Sequence, residues 1–464
     1  MATTNPKKNK FSVWTFADRF EGDKVVWMIL LMLILFSIVC MFSSSSRLLR
    51  DGMTRLDLVK NQFFVVLGGL AVIIVCYNIK NIKFFRWCSQ WGFLVSFLML
   101  VLLDAHVRIP HVIEAQNINN AWRILKVAGF QVHVFEVVKV AMVLYLAWAM
   151  DALRRGALPG PEQEIKKKII YLYAPFLIIF VMIIPGSNSS ALIIGLLMFV
   201  MILLGGGNLR DMTLLALAAL AILGVIFGLY SATKHNERPW FGRIGTGIAR
   251  VFEHKDWVQQ AIDAPKGTVA WQDAIDAIRQ PYSAKIAVKQ GGLLGKGPGQ
   301  STQRYVVPDM SEDYMYSFII EEYGLLGGIL IILLYGSLLG RGSIIARNCG
   351  DDHYAKLTIA GLCLLISGQA FLHMFVNADI GPMTGQTLPL ISHGNSAFLC
   401  FSIAFGIILS FSRIATRRIE KATRDAAPLV ELHESAVHDG LRDLEAFESG
   451  ELDDDLTTDN GYGI

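Results

Sequence analysis

Charge is scarce in this sequence: Asp, Glu, Lys and Arg make up 17% of 464 residues, and they balance to only +3. A net charge that small, with basic residues clustered beside apolar runs, lacks the footprint of a nucleic-acid binder, so no nucleic-acid partner is expected. Cysteine is scarce too. The six cysteines (Cys40, Cys76, Cys88, Cys349, Cys363, Cys400) show no CxxC pair and no metal-type spacing, which argues against a disulfide framework and a structural zinc. No internal repeat marks an inverted-repeat transporter. A nucleotide-binding P-loop is also missing. The run Gly291-Gly292-Leu293-Leu294-Gly295-Lys296-Gly297-Pro298-Gly299 has the glycines and a lysine, but no Ser or Thr after the lysine and no helix pattern behind it. It reads as a turn or lid where backbone can approach a ligand closely.

Apolar residues fill the space that charge leaves. They are 53% of the chain, with a mean hydropathy of +0.46, which is a membrane composition. A spanning helix takes about 20 mainly apolar residues, and about ten runs qualify. They lie at 24–43, 61–79, 84–103, 134–151, 169–185, 190–206, 212–231, 315–339, 356–376 and 396–412. The expected fold is therefore an all-α polytopic membrane protein. Its first run is too long for a signal-peptide core and lacks a cleavage site, so it should stay as a helix. Lys and Arg crowd the segments that an N-terminus-inside orientation places in the cytoplasm (Lys7, Lys8, Lys80, Lys83, Arg154, Arg155, Lys166 to Lys168, Arg341, Arg347, Arg413, Arg417), which predicts that both termini are cytoplasmic.

Three further regions follow from this layout. Residues 1–23 form a cytoplasmic tail, and 24–412 the helical domain. Within that domain 232–314 is a long extracytoplasmic loop between the seventh and eighth helices. Loops of that length are usually functional or disordered, and the aromatics Trp240, Phe241, Phe252, Trp257, Trp271 and Tyr282 argue for an ordered cap. Residues 413–464 read as an acidic, disordered cytoplasmic tail, because from 425 onward Arg442 is the sole Lys or Arg.

Charged and polar residues inside or beside apolar runs are the candidates for function. Glu136 and Lys139 stand three apart on one helical face near the outer end of the fourth run. They are either a structural ion pair or the lining of a polar cavity for an anionic or hydroxyl-rich group. Asp313 sits at the water end of the eighth run, with Glu321 and Glu322 two turns further in. Neighbouring carboxylates at such a boundary suit a general base, or merely end a helix. The Pro- and Gly-broken stretch from Pro382 through Thr384 and Ser392 to Ser396 leads directly into the last run. Irregular backbone at that depth must be covered by protein or line a cavity. His373 and His393 near it read as hydrogen-bonded structural groups more readily than as metal ligands.

Taken together, these stretches resemble the SEDS (shape, elongation, division and sporulation) proteins over about residues 20 to 420. The resemblance rests on three ordered motifs: Gly291 to Gly297; Pro308 through Asp313 to Glu321-Glu322-Tyr323-Gly324; and Pro382-Met383-Thr384-Gly385 to Leu388-Pro389-Leu390-Ile391-Ser392. Overall likeness favours the division branch over the elongation branch. The resemblance implies a peptidoglycan glycosyltransferase that polymerises lipid II at the outer face of the inner membrane, expelling undecaprenyl pyrophosphate. It places the essential acid on Asp313, the intramembrane pair on Glu136 and Lys139, and pyrophosphate-holding basic groups on Arg243, Arg250 and Lys296. Glu321, Thr384, Ser392 and Ser396 complete the expected substrate-binding set. The resemblance leaves the metal site open, with a divalent cation (Mg or Mn) as the candidate cofactor. The implied partners are a class B penicillin-binding protein transpeptidase and other division proteins. The sequence departs from the family pattern at His133-Val134-Phe135, Ser187, His373 and His393-Gly394-Asn395-Ser396. Two alternatives stay open, a lipid II flippase and an elongation-type polymerase, and a scaffolding role for the acidic tail is compatible with any of them.

Overall fold

The structure is a computed structural model, and it describes residues 21–44, 55–118, 121–232, 257–307, 310–380 and 384–449. In chain order the helices are α1 (Lys24–Ser44), α2 (Arg55–Asn78), α3 (Ile82–Asp104), α4 (Val134–Arg154), α5, α6 (Asn188–Leu204), α7 (Leu209–Ala232), α8 (Trp257–Asp263), α9 (Val269–Gly291), α10 (Met315–Asn348), α11 (His353–Asn377) and α12 (Asn395–Ser449). Helix α5 is composite: Glu164–Lys168, a π turn Ile169–Tyr173, then Ala174–Ile183. All ten apolar runs fall on helices. Among the described residues six helical stretches are long and apolar enough to cross a membrane: Lys24–Ser44, Lys60–Asn78, Ile82–Asp104, Met315–Asn348, His353–Asn377 and Asn395–Ala426. The protein is thus a multi-pass membrane protein.

Helix α4 is the hub. It carries Glu136, Lys139, Asp151 and Arg154, yet almost every residue from Val138 to Ala152 is buried, packed by α3, α6, α11 and α12. A helix buried all round can hold charge only where partners meet it. At one end Asp151 receives Arg86 at 3.4 Å and Arg155 at 2.7 Å, and Arg86 also reaches Asp352 at 2.9 Å, which ties α3, α4 and α11 together. At that end Asp23 caps α1 through Val25 N–H (2.9 Å) and Val26 N–H (3.2 Å), while its carboxylate takes Arg341 Nε at 2.8 Å. Helix α12 lies most extensively along α2. Small residues permit the approach: a Cβ on Gly69 would meet Phe398 at 2.4 Å, and one on Gly406 would meet Cys76 at 2.6 Å.

The opposite end holds the departures from expectation. Between α3 and α4 the chain forms a four-stranded antiparallel meander, β1 (Arg108–Ile109), β2 (Ile113–Ile118), β3 (Ala121–Val127) and β4 (Phe130–His133), in spatial order β1-β2-β3-β4. The β3–β4 hairpin closes with Val127 opposite Phe130 through Ala128 and Gly129, both at positive φ (47° and 91°), as a two-residue hairpin turn requires. Hydropathy gave no hint of this sheet. Arg123 Nε of β3 donates to the Gly186 carbonyl at 3.3 Å, joining the sheet to the α5–α6 hairpin. In the expected cap the described part holds two helices, α8 and α9, followed by the irregular glycine-rich loop, while Trp240, Phe241 and Phe252 lie outside the described residues. Helix α12 runs on to Ser449, into the stretch whose composition reads as a solvated acidic tail.

The glycine-rich run packs against a break in α10. Gly324 stands at φ 70°, ψ −174°, a conformation essentially confined to glycine, and it interrupts the helix. The backbone groups freed there pair with the loop. Lys296 N–H donates to the Glu321 carbonyl, Gly297 N–H to the Glu322 carbonyl and Leu325 N–H to the Gly292 carbonyl, each at 2.9 Å. This satisfies the rule that a broken intramembrane helix must find other partners for its main chain. A Cβ at Gly324 would lie 2.2 Å from the Leu293 carbonyl oxygen, whereas one at Gly336 in the same helix meets nothing within 4 Å. Gly324→Ala is therefore expected to destabilise the protein by about 1–3 kcal/mol from backbone strain alone. Gly336→Ala should stay within about 1 kcal/mol of wild type. Thermal unfolding in detergent reads both, and equal midpoints for the two variants would contradict this account.

Candidate functional site

Lys139 is completely buried, and its ammonium group is fully used. Its Nζ donates to Glu136 Oε1 at 2.6 Å, Gln369 Oε1 at 2.5 Å and Gln386 Oε1 at 3.4 Å. Glu136 lies in the first turn of α4, where a negative charge is favoured by the helix dipole. Its other oxygen, Oε2, is buried without a hydrogen-bond partner. At the same helix start, burial holds His133 below the usual imidazole range against the opposing pull of Glu136.

The pair is joined to an irregular segment, 384–394, that lies among the helices. Gln386 turns its amide nitrogen to Ser189 Oγ (3.2 Å) and Ser190 Oγ (3.1 Å) while its oxygen takes Lys139. Gln369 Nε2 donates to the Thr387 carbonyl at 3.0 Å. Ser189 Oγ donates to the Thr384 carbonyl at 2.5 Å, and Tyr335 Oη to the Pro389 carbonyl at 2.5 Å. On its other side the segment grips the approach to α10. Ser392 Oγ donates to the Glu312 carbonyl at 2.8 Å, and His393 N–H to the Ser311 carbonyl at 2.8 Å.

Asp313 is held where these strands of contact meet. Gly385, at φ 58°, passes so near that a Cβ there would lie 3.5 Å from Asp313 Oδ2. Asp313, Tyr314, His373, Val376, Thr384, Gly385 and Gln386 line a cavity of about 20 Å³. That is room for a water molecule and not for a sugar, so a large substrate would meet Asp313 from the open side. A half-buried carboxylate in a polar, water-sized niche can accept a proton from a hydroxyl placed over it.

The structure sorts the residues expected from sequence into groups. Asp313 and Thr384 share the niche; Glu136 and Lys139 connect to it through Gln386; Ser392 supports the carbonyl of Glu312 beside it. Ser396 serves elsewhere, its Oγ accepting the His133 N–H at 3.2 Å where β4 meets α4. Lys296 and Glu321 form a separate clamp. Lys296 Nζ spends its three protons on Gln290 Oε1 (2.5 Å), Glu321 Oε1 (2.6 Å) and Thr302 Oγ1 (2.8 Å). Glu321, fully buried, also accepts Ser301 Oγ at 2.5 Å and Thr302 N–H at 2.9 Å. In this arrangement the lysine locks the glycine-rich loop onto α10 and offers no free donor to an anion. Arg243 and Arg250 lie outside the described residues. Among the described residues no three His, Cys, Asp or Glu side chains group as metal ligands.

Sequence reasoning passed over Gln369, Asn377 and Gln386 and underrated His373. The signal was present: Gln369, His373 and Asn377 recur every fourth residue in an apolar helix, which puts three polar side chains on one face.

Known proteins resemble this chain in sequence and in fold. A model of the cell cycle protein family that groups FtsW, RodA and SpoVE matches residues 23–417. Stage V sporulation protein E of Bacillus subtilis is 27% identical over 359 residues, covering 75% of this chain and 86% of the relative. A probable peptidoglycan glycosyltransferase FtsW of Coxiella burnetii is 26% identical over 352 residues, covering 74% and 82%. A solved peptidoglycan synthase complex, described as coordinating polymerization and crosslinking, contains a chain that superposes with a TM-score of 0.60 at 18% identity, covering 84% of this chain and 98% of that one.

Removing one member of the buried Glu136–Lys139 pair leaves a stranded charge. Lys139→Met is expected to cost about 3–5 kcal/mol, and adding Glu136→Gln should recover part of that loss. Unfolding midpoints of the two variants decide it, and a double variant less stable than the single one would contradict the pairing. The family model that matches residues 23–417, most of the chain, gives it its place: it belongs to the FtsW/RodA/SpoVE family of cell cycle proteins.

Proposed function

We propose that this protein is a peptidoglycan glycosyltransferase that polymerises lipid II into glycan strands at the outer face of the inner membrane during cell division. The observation that carries the reading is Asp313, held at the mouth of a water-sized niche by a buried polar network within a membrane bundle. In each cycle a sugar hydroxyl of one lipid-linked unit attacks the anomeric carbon of the other. Asp313 accepts the hydroxyl proton as the new glycosidic bond forms, and the lipid pyrophosphate leaves with the bonding electrons. Lys296 is occupied, so Arg243 and Arg250 are the groups proposed to meet the departing pyrophosphate. A divalent cation, if bound, would be held through Asp313 and would supply further positive charge to the departing pyrophosphate. Thr384 would contact the sugar at the rim of the niche.

The flippase alternative needs a polar path across the bilayer. On α4 the charges stop at Lys139 and resume at Asp151, and Val140 to Met150 between them are apolar but for the Tyr145 hydroxyl. This favours a site at one face over a conduit. The basic clusters near the helix ends support a cytoplasmic position for both termini. The family's description as cell cycle proteins supports the division role. The solved complex that couples polymerization to crosslinking supports a class B penicillin-binding protein as the crosslinking partner, alongside other division proteins.

The test is strand formation from purified lipid II by the protein reconstituted with its transpeptidase. Wild type should make polymer, and Asp313→Ala should lose about 10²–10⁴-fold in rate, the usual share of a general base. Lipid II crossing the bilayer with no polymer formed would replace the polymerase by the flippase.

A further inference from the structure

Asp313 stands just ahead of helix α10. The N-cap residue of that helix, Tyr314, makes no side-chain capping hydrogen bond. The first amides of a helix have no partner within it, and a buried helix start without one is costly. Here the partners come from α11. His373 Nε2 accepts the Tyr316 N–H at 3.3 Å, and Asn377 Oδ1 accepts the Ser317 N–H at 2.9 Å and the Ser317 hydroxyl at 2.8 Å. The two residues stand four apart, on one face of α11.

Both side chains also reach back to the niche. Asn377 Nδ2 donates to the backbone carbonyl of Asp313 at 3.0 Å and to the His373 carbonyl at 2.9 Å. His373 Nδ1 lies 2.6 Å from the Gln386 carbonyl. A carbonyl can only accept, so Nδ1 carries the proton and Nε2 is the bare nitrogen that receives Tyr316. This ring is a neutral strut with both nitrogens committed, which leaves it no role as a proton shuttle or metal ligand.

We infer that Asn377, assisted by His373, is the positioning residue for Asp313, capping α10 from the neighbouring helix and fixing the carbonyl of the catalytic acid to α11. The inference rests on Asp313 being the general base. It follows that the orientation of Asp313 is set by α11 and the 384–394 segment together, so a movement of α11 relative to α10 would change the reach of the carboxylate.

Two substitutions separate capping from positioning. Asn377→Leu keeps the volume and removes every hydrogen bond. Asn377→Asp keeps the acceptor for Ser317 and removes the donor to Asp313. The measurements are the rate of glycan polymerisation from lipid II across pH, with kcat and KM resolved, and the unfolding midpoint of each variant. A misplaced reacting group costs up to about a hundredfold in rate. Both variants should therefore lose roughly ten- to a hundredfold in kcat with KM unchanged, although Asn377→Asp should unfold closer to wild type than Asn377→Leu. The loss should persist across pH. Wild-type kcat in Asn377→Asp would overturn the inference. So would a loss that disappears as pH rises, because that would mark repulsion between two carboxylates instead of a lost grip. Polymerisation that survives Asp313→Ala would instead remove the underlying reading of Asp313, a different failure from one in which Asp313→Ala is inactive and the Asn377 variants are normal.

Discussion

Main chain that is neither helix nor strand can lie inside a helical bundle only if protein groups take up its amides and carbonyls. The segment 384–394 is under that constraint, and much of the structure answers to it. Ser189, Gln369, His373 and Tyr335 meet its carbonyls from three different helices, and Ser392 and His393 bind it to the residues just ahead of α10. The price of an irregular segment is a dense set of polar side chains in an apolar interior, and that density also makes a chemically competent site.

The same logic explains the ion pair. A lysine at the heart of the bundle is tolerable because Glu136, Gln369 and Gln386 accept its three protons. Since Gln386 also lines the niche of Asp313, the pair is less a separate site than the far end of the network that holds the irregular segment. The clamp of Lys296 on Glu321 does the equivalent work at the Gly324 break, where a glycine-rich loop replaces the missing helical partners. In both places a charge that looks available in the sequence is occupied in the fold.

What the sequence made legible is whatever depends on runs and on local spacing. Apolar length found the helices, and the three-residue interval found Glu136 with Lys139. Broken backbone near Thr384 to Ser392 marked the irregular segment, and the boundary position marked Asp313. What it hid depends on contacts distant in the chain. Lys296 reads as a free cation until Gln290, Thr302 and Glu321 are seen around it. The meander between α3 and α4 escaped because its strands are short and only partly alternating, and a hydropathy reading registers them as loop. The helix beyond residue 413 escaped because composition reports solvation, and a solvated segment can still be helical. Asn377 escaped because capping is ordinarily sought on the helix being capped, while here the cap comes from its neighbour.

The central claim is that Asp313 performs chemistry on a substrate bound by other groups. Lipid II binding to Asp313→Ala, measured at equilibrium in the same reconstituted membranes used for polymerisation, tests it most directly. The account predicts that the variant binds lipid II within a few-fold of wild type while making no glycan. Loss of binding together with loss of polymer would contradict it, assigning Asp313 to holding the substrate instead of reacting with it.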